Sequence, residues 1–239
     1  MKKEDILKNL IELINNKEAI KLDNDKDRRE LWKKSFVKKS ALKWNDEIIS
    51  LESQYLKSLL INNKVLNVYD IVNEEGLNSN ISFFDKVIIW DKDVTNIVAD
   101  AIVIPASFDI SDNNKELDDF YYLNGIRLRK KIINIMDGEK LAANEVLISR
   151  SYGIFADYVI HVNYADDLKK SVINILECSR VNMIKSLIIK CNFDYKDIVI
   201  IYDTIIEYLE KYPEVFDKII LSIEENNKSK LIEDINKEA

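Results

Sequence analysis

The sequence predicts an α/β protein: a mixed sheet with helices on both faces, preceded by an all-helical extension. Two observations carry this prediction. Residues 1–64 place their apolar side chains at helical spacing, whereas short apolar runs bounded by turn-forming residues begin near residue 83. From there the runs alternate with amphipathic segments, as in parallel strands joined by crossover helices. We therefore expect an N-terminal helical extension over 1–82 and an α/β domain over 83–239.

The extension contains three predicted helices. The first, over 4–15, places its apolar residues on one face: Ile6, Leu7, Leu10, Leu13 and Ile14. The second starts near Asp25 or Asp27 and runs to about residue 40. The third starts at Asn45 or Asp46, because these side chains can accept hydrogen bonds from the free N–H groups of a helix start.

The second part of the chain contains alternating strands and helices, after a connector over 65–82 with short local structure. Strands are predicted at 87–91, 100–106, 146–149, 157–162, 186–191 and 217–223. Helices are predicted at 115–136, 166–184, 197–211 and 227–237. In the helix over 166–184, the residues expected to face inward are Leu168, Val172, Leu176, Val181 and Ile184.

The charge balance argues against nonspecific binding of nucleic acid. The chain has 42 acidic and 35 basic residues, and its net charge of −7 repels a polyanion. The basic residues do gather in one segment: Lys26, Arg28, Arg29, Lys33, Lys34, Lys38, Lys39 and Lys43. This segment is either a solvated helix face or a surface for a protein partner.

Cysteine and histidine are too few for a metal cluster. The chain has Cys178, Cys191 and a single histidine, so we expect no metal, no cofactor and no disulfide framework. The sequence shows no secretory signal and no apolar run long enough for a membrane span. A cytoplasmic protein is expected. The Lys, Asn and Ile content suggests a bacterial source.

Only four glycines are present, at positions 76, 125, 138 and 153. Loops that cradle phosphates usually need glycine, because several backbone N–H groups must point at one anion. The sequence contains neither a Walker loop nor a Gly-x-Gly-x-x-Gly motif.

The segment WDKDVTNIVADAIVIPAS, residues 90–107, resembles the opening of macrodomains. That family has Gly-Asp-Ile-Thr followed by Asp-Ala-Ile-Val-Asn-Ala-Ala-Asn. Residues 93–95 are similar to Asp-Ile-Thr, with Lys92 in place of the glycine, and residues 100–103 read Asp-Ala-Ile-Val. The resemblance implies a three-layer α/β/α macrodomain fold and a site for ADP-ribose or an ADP-ribosylated protein.

The helical extension resembles that of the zinc-containing bacterial macrodomains, which are protein-ADP-ribose hydrolases. The extension shares the Arg28-Arg29 pair and a following helix with glutamates, and the separate segment 117–132 resembles another motif of that branch, with matches at Gly125, Leu128 and Arg129. That branch binds zinc through a Cys–His–Cys loop. Here residues 108–117 contain neither cysteine nor histidine, and Tyr121 stands where the branch has a zinc-binding histidine.

The resemblance implies that the Asp93 carboxylate accepts a hydrogen bond from the adenine amino group, with Val94 and Thr95 beside it. An alternative is that Asp93 only caps the turn after its strand. In the loop over 190–196, Phe193 or Tyr195 could stack on a ribose or a base, or could simply pack at the strand end. The predicted ligand site thus consists of Asp93, Val94, Thr95, Ser107, Phe193 and Tyr195.

The catalytic region departs more from the family pattern. Ile104 and Ser107 replace two asparagines, and Asp194 would repel a diphosphate unless Lys190 or Lys196 offset it. The remaining candidates for catalysis are Asp118 and Asp119, with Ser107. Two acids at the start of a helix are more often N-terminal charges that face the helix dipole, and we prefer that interpretation.

The lone histidine, His161, matches a strand position of the fold, and we interpret it as structural. Together these changes favour a degenerate, non-catalytic macrodomain, a pseudoenzyme that binds ADP-ribose, another adenine nucleotide or a protein partner. The alternative is an active protein-ADP-ribosyl hydrolase with a zinc-independent site. A third possibility is a protein-binding module that ignores nucleotides and uses its basic extension.

Overall fold

The structure is a computed structural model that describes residues 3–14, 45–60, 65–73, 77–106, 115–137, 139–165 and 167–238. The side chains at 14, 60, 115–122, 126, 129, 133 and 238 lie outside this description. The chain forms two compact units. The first comprises Met1–Lys64, Ser107–Glu139 and Ser151–Ile154, and the second Val65–Ala106, Lys140–Arg150 and Phe155–Ala239. The division expected at residue 82 stays a prediction.

The first unit contains helices α1 (Lys3–Ile14), α2 (Asp46–Leu60) and α3 (Lys115–Met136). Helices α1 and α2 form a small core from Ile6, Leu7, Leu10, Ile11, Ile48, Tyr55 and Leu56. The side chain of Asn45 caps α2, since its Oδ1 accepts the N–H of Ile48 at 2.9 Å. Both helices are confirmed. The predicted helix that starts near Asp25 lies outside the described residues.

Helix α3 is two helical stretches joined at Gly125, which has φ 75° and ψ 176°. Residues with a side chain rarely adopt this backbone conformation because it is strained for them, whereas glycine adopts it at little cost. A Cβ at this position would also lie 3.0 Å from Glu52 Oε2 and 3.0 Å from Leu56 Cδ1, both in α2. Gly125 therefore allows the close approach of α3 to α2.

Replacing Gly125 with alanine should destabilise the protein by about 1–3 kcal/mol, because the backbone conformation is strained for any residue with a Cβ. The free energy of unfolding from urea denaturation tests this. Asn134→Ala, at an exposed position of the same helix, is the control and should change that energy by less than about 0.5 kcal/mol. Equal values for the two variants would contradict the strain.

The second unit is built on a seven-stranded mixed sheet. The strands are β1 (Leu66–Asn67), β2 (Val87–Trp90), β3 (Ile97–Pro105), β4 (Val146–Arg150), β5 (Ala156–Val162), β6 (Ser186–Lys190) and β7 (Lys218–Ser222). Their order is β2-β7-β6-β3-β5-β4, with β1 beside the start of β3. All pairs are parallel except β4 with β5. The predicted α/β class with a mixed sheet is confirmed, as are all six predicted strands.

Three helices of this unit, α4 (Leu168–Val181), α5 (Tyr195–Lys211) and α6 (Glu225–Glu238), share one core with the sheet. Every second residue of the central strands joins them in that core, including Val103, Ile160 and Ile189. One inward residue was predicted wrongly. Val181 is 72% exposed, because α4 ends at that residue and the helical periodicity no longer applies.

The connector over 65–82 contributes more to the sheet than its sequence indicates. Residues 66 and 67 pair with Ile97 and Val98 as β1. The side chain of Asn73 then bonds to backbone groups at the outer edge of β2. Its Nδ2 donates to the carbonyls of Phe84 and Val87, both at 2.9 Å. Its Oδ1 accepts the N–H of Ile89 at 3.0 Å. A side-chain amide thus takes the place of a neighbouring strand.

Candidate functional site

The parallel strands β2, β7, β6, β3 and β5 all end at one edge of the sheet, which we call the carboxyl edge. After β3 the chain leads to β4 and β5 on one side, and after β6 it leads through α5 to β7 on the other side. Ligands of open parallel sheets bind where the connections diverge in this way. The candidate site therefore lies at the carboxyl edge, where the structure describes the turn after β2 and the segments that follow β5 and β6.

The turn after β2 contains Asp93, whose side chain is exposed. Its Oδ1 accepts the N–H of Thr95 at 2.9 Å, and its Oδ2 accepts the Thr95 hydroxyl at 2.7 Å. Val94, between them, is only 4% exposed. Asp93 thus caps its turn, as the alternative interpretation held. An ionised carboxylate has about four acceptor positions, so the turn leaves capacity for an external donor. Recognition of adenine by this carboxylate stays a prediction.

The two aromatic residues after β6 have different surroundings. Phe193 packs edge-on against Tyr164, with ring centroids 4.9 Å apart. Tyr195 is the first residue of α5, and its hydroxyl donates to Asp234 Oδ2 at 2.6 Å. The Nζ of Lys230 lies 3.9 Å from the centroid of the Tyr195 ring. Phe193 therefore faces the residues that follow β5, whereas Tyr195 contacts α6. Stacking of either ring on a ligand stays a prediction.

Tyr164, just after β5, is a residue at the carboxyl edge that sequence reasoning missed. Its hydroxyl oxygen is buried and has no hydrogen-bond partner among the described residues. Burial raises the pKa of this phenol well above its usual value, with a further contribution from Cys191. No sequence motif marks this tyrosine, since only the parallel pairing of β3 with β5 brings its loop to the carboxyl edge.

Comparison with known proteins gives one match in sequence. No family model matches the chain. The "Protein GDAP2 homolog" of Drosophila melanogaster is 25% identical over 103 residues, which are 42% of this chain and 19% of that protein. The chain thus spans about a fifth of the length of the curated relative that it matches.

Solved structures are similar over a larger part of the chain. The macro domain of ganglioside induced differentiation associated protein 2 has a TM-score of 0.60 and 18% identity, over 71% of this chain and 96% of that domain. The Trypanosoma brucei macrodomain in complex with ADP-ribose has a TM-score of 0.57 and 15% identity, over 85% and 94%. The Oceanobacillus iheyensis macrodomain with ADP has a TM-score of 0.55 and 17% identity, over 64% and 90%.

The chain has the macrodomain fold. The fold implied by residues 90–107 is therefore confirmed.

Asp100 is the first residue of the macrodomain-like Asp-Ala-Ile-Val segment, and its contacts are structural. Its Oδ2 accepts the N–H groups of Lys185 and Ser186 at 2.7 and 2.8 Å, and its own N–H donates to Ser186 Oγ at 2.8 Å. These bonds join β3 to the start of β6. Asp100 thus helps to align β3 with β6. Its bonds lie at the amino-terminal end of β6, which is opposite to the carboxyl edge.

Asp100→Ala should destabilise the protein by about 1.5–3 kcal/mol, because it removes a charged acceptor from two backbone donors. Asp100→Asn retains an acceptor oxygen and should cost less. Urea denaturation measures both. Asp157→Ala, an exposed aspartate of β5, is the control. An Asp100→Ala variant as stable as this control would show that the bonds contribute nothing.

His161 is completely buried in β5 and lies opposite Ile104 of β3 and Leu147 of β4. Its Nε2 is 3.2 Å from Ser149 Oγ. Burial lowers the pKa of the imidazole from 6.5 to about 3. The ring is therefore neutral at physiological pH, and this environment supports a structural role rather than proton transfer.

Because the chain has one histidine, its titration can be followed directly by NMR. The imidazole signals should not shift between pH 8 and pH 5 in the folded protein. Between pH 6.5 and about 3 the unfolded chain binds a proton that the folded chain does not. Stability should therefore fall with decreasing pH in this window, by up to about 1.4 kcal/mol per pH unit from this group. His161→Gln should lack that part of the slope. Titration of the folded ring near pH 6.5 would contradict it.

The proposed catalytic residues are not all described. Ser107 lies outside the described residues. Asp118 and Asp119 belong to α3, but only their backbone is described. Their catalytic roles stay predictions. Among the described residues, no three His, Cys, Asp or Glu side chains are grouped so that they could hold a metal ion. None of the described helices combines the length and the apolar character needed to cross a bilayer.

Proposed function

We propose that this macrodomain binds ADP-ribose or another adenine nucleotide at the carboxyl edge and does not hydrolyse it. The observation that carries the proposal is the exposed Asp93 carboxylate on the capped turn after β2. Thr95 holds both of its oxygens in place, so the acceptor for an exocyclic amine is already oriented before a ligand arrives. Similar folds include macrodomains solved with ADP-ribose and with ADP.

The residues at the sugar and diphosphate end favour binding without catalysis. Ile104 stands where the resemblance places an asparagine, and it is 1% exposed within the sheet. An aliphatic side chain offers no donor or acceptor to a ribose. After β6 the loop has no glycine, and the exposed Asp194 precedes α5. Its negative charge opposes a diphosphate, although Lys190 and Lys196 offset part of that repulsion.

The finer identity of the protein is part of the same proposal. Residues 28–29, 125 and 129 support a divergent relative of the zinc-containing bacterial macrodomains that has lost the metal loop. The basic residues between Lys26 and Lys43 carry the charge that would attract an acidic protein partner, such as an ADP-ribosylated protein. A cytoplasmic, bacterial setting fits this role.

Calorimetry with ADP-ribose tests ligand binding. Asp93→Ala should raise the Kd about tenfold or more, because a hydrogen bond to a charged acceptor contributes about 1.5–3 kcal/mol. The control, Asp157→Ala, removes an exposed carboxylate from β5 and should leave the Kd within about twofold of the native value. Native binding weaker than millimolar, with no effect of Asp93→Ala, would refute nucleotide recognition.

Incubation with a mono-ADP-ribosylated protein tests the absence of catalysis. The native chain should release no ADP-ribose above a buffer control. Release that disappears in Asp118→Ala or Asp119→Ala, but persists in Asp157→Ala, would instead establish the zinc-independent hydrolase.

A further inference from the structure

The ion pair between Lys228 and Asp91 differs from the others in the described part of the chain. Lys228 Nζ lies 3.0 Å from Asp91 Oδ1, and the two side chains are only 7% and 14% exposed. In every other described ion pair both side chains are at least 35% exposed. Exposed pairs contribute little to structure, whereas a buried pair fixes two groups in one geometry and leaves an uncompensated charge if one partner is removed.

Asp91 is the first residue after the end of β2. The ladder between β2 and β7 ends with the N–H of Ile223 donating to the Trp90 carbonyl at 2.8 Å. Asp91 is the next residue, and Asp93 follows two residues later. At the other end of the turn, Ile97 N–H donates to the Val94 carbonyl at 3.2 Å, where β3 begins. The Lys228 contact therefore fixes the first half of the turn that carries Asp93.

Lys228 is itself held firmly by α6. Its N–H donates to the Glu224 carbonyl at 2.9 Å in the first helical turn. Leu231 and Ile235, which follow at helical spacing, are 1% and 8% exposed in the core of the sheet. The helix thus holds the backbone of Lys228, and the nearly buried side chain places its ammonium group beside the Asp91 carboxylate.

From these contacts we infer that Lys228 is a positioning residue for adenine recognition, acting through Asp91 on the orientation of the Asp93 turn. The inference rests on the proposed function, and it makes α6 part of the nucleotide site. A carboxylate that must meet an exocyclic amine tolerates little displacement, because hydrogen bonds weaken steeply with distance and angle. Loss of the ion pair should therefore remove discrimination between adenine and a base without that amine.

The experiment compares ADP-ribose with inosine diphosphate ribose, in which an oxygen replaces the exocyclic amine. Calorimetry with the full chain should show that Lys228→Met raises the Kd for ADP-ribose about tenfold and brings the ratio of the two Kd values close to one. Lys228→Arg, which keeps the charge, should restore the native ratio. The matched control is Lys237→Met in the same helix, where the lysine side chain is 62% exposed and forms an ion pair with Glu233. This variant should change neither Kd by more than about twofold.

If Lys228→Met does not fold, Asp91→Asn breaks the charge pair with little change in shape and has the same expected result. An equal loss of affinity for both ligands would overturn the inference, since a purely structural role weakens both alike. Unchanged affinities would overturn it too.

A ligand-free measurement separates this inference from the proposed function. The amide of Thr95, which donates to Asp93, should exchange with solvent faster in Lys228→Met than in Lys237→Met. If the native chain binds no ADP-ribose, the proposed function fails, and the exchange rate still decides whether Lys228 orders the turn. Equal exchange rates in the two variants would overturn the positioning role in either case.

Discussion

Strand β3 joins the two halves of the sheet, so the alignment of the strands on either side depends on its pairing. It pairs with β5 over Ala99–Pro105 and with β6 over Ala101–Val103. Its residues 101–104 are at most 1% exposed. A segment of a parallel strand that is buried on both faces is apolar, as residues 101–104 are, and its register cannot slip without exposing that surface. The carboxyl edge, and the loops that form it, follow from this alignment.

Charged side chains reinforce the sheet at both ends. At the start of β6, Asp100 accepts two backbone N–H groups. At the carboxyl edge, Asp91 meets Lys228 at the end of β2. Both carboxylates have a buried or half-buried location and specific partners, as buried polar groups require. Asp93, two residues from Asp91, differs because it is exposed and bonded only within its own turn in the contacts described above. The same residue type thus performs a structural task in two places and remains accessible in the third.

In the described part of the carboxyl edge, the chain offers an acceptor and an aromatic ring, and it lacks the glycines that would turn backbone donors toward an anion. Asp93 and Phe193 are present there, whereas Ile104 is aliphatic and the loop after β6 has no glycine. Diphosphate binding depends on convergent N–H groups and positive charge, while adenine recognition depends on an oriented acceptor and a hydrophobic surface. This distribution of chemistry is the physical basis of the proposal that the chain recognises the nucleotide and does not cleave it.

By itself the sequence determined the local elements, and the tertiary structure decided which residues meet. Apolar runs and helical spacing locate the described strands and helices to within a few residues, since these periodicities are local. Strand β1 escaped prediction because two residues carry no period. The edge-covering role of Asn73 and the position of Tyr164 depend on strand order, which no local pattern encodes. Lys228 and Asp91 are 137 residues apart in the chain, so only the packing of α6 on the sheet could make them partners.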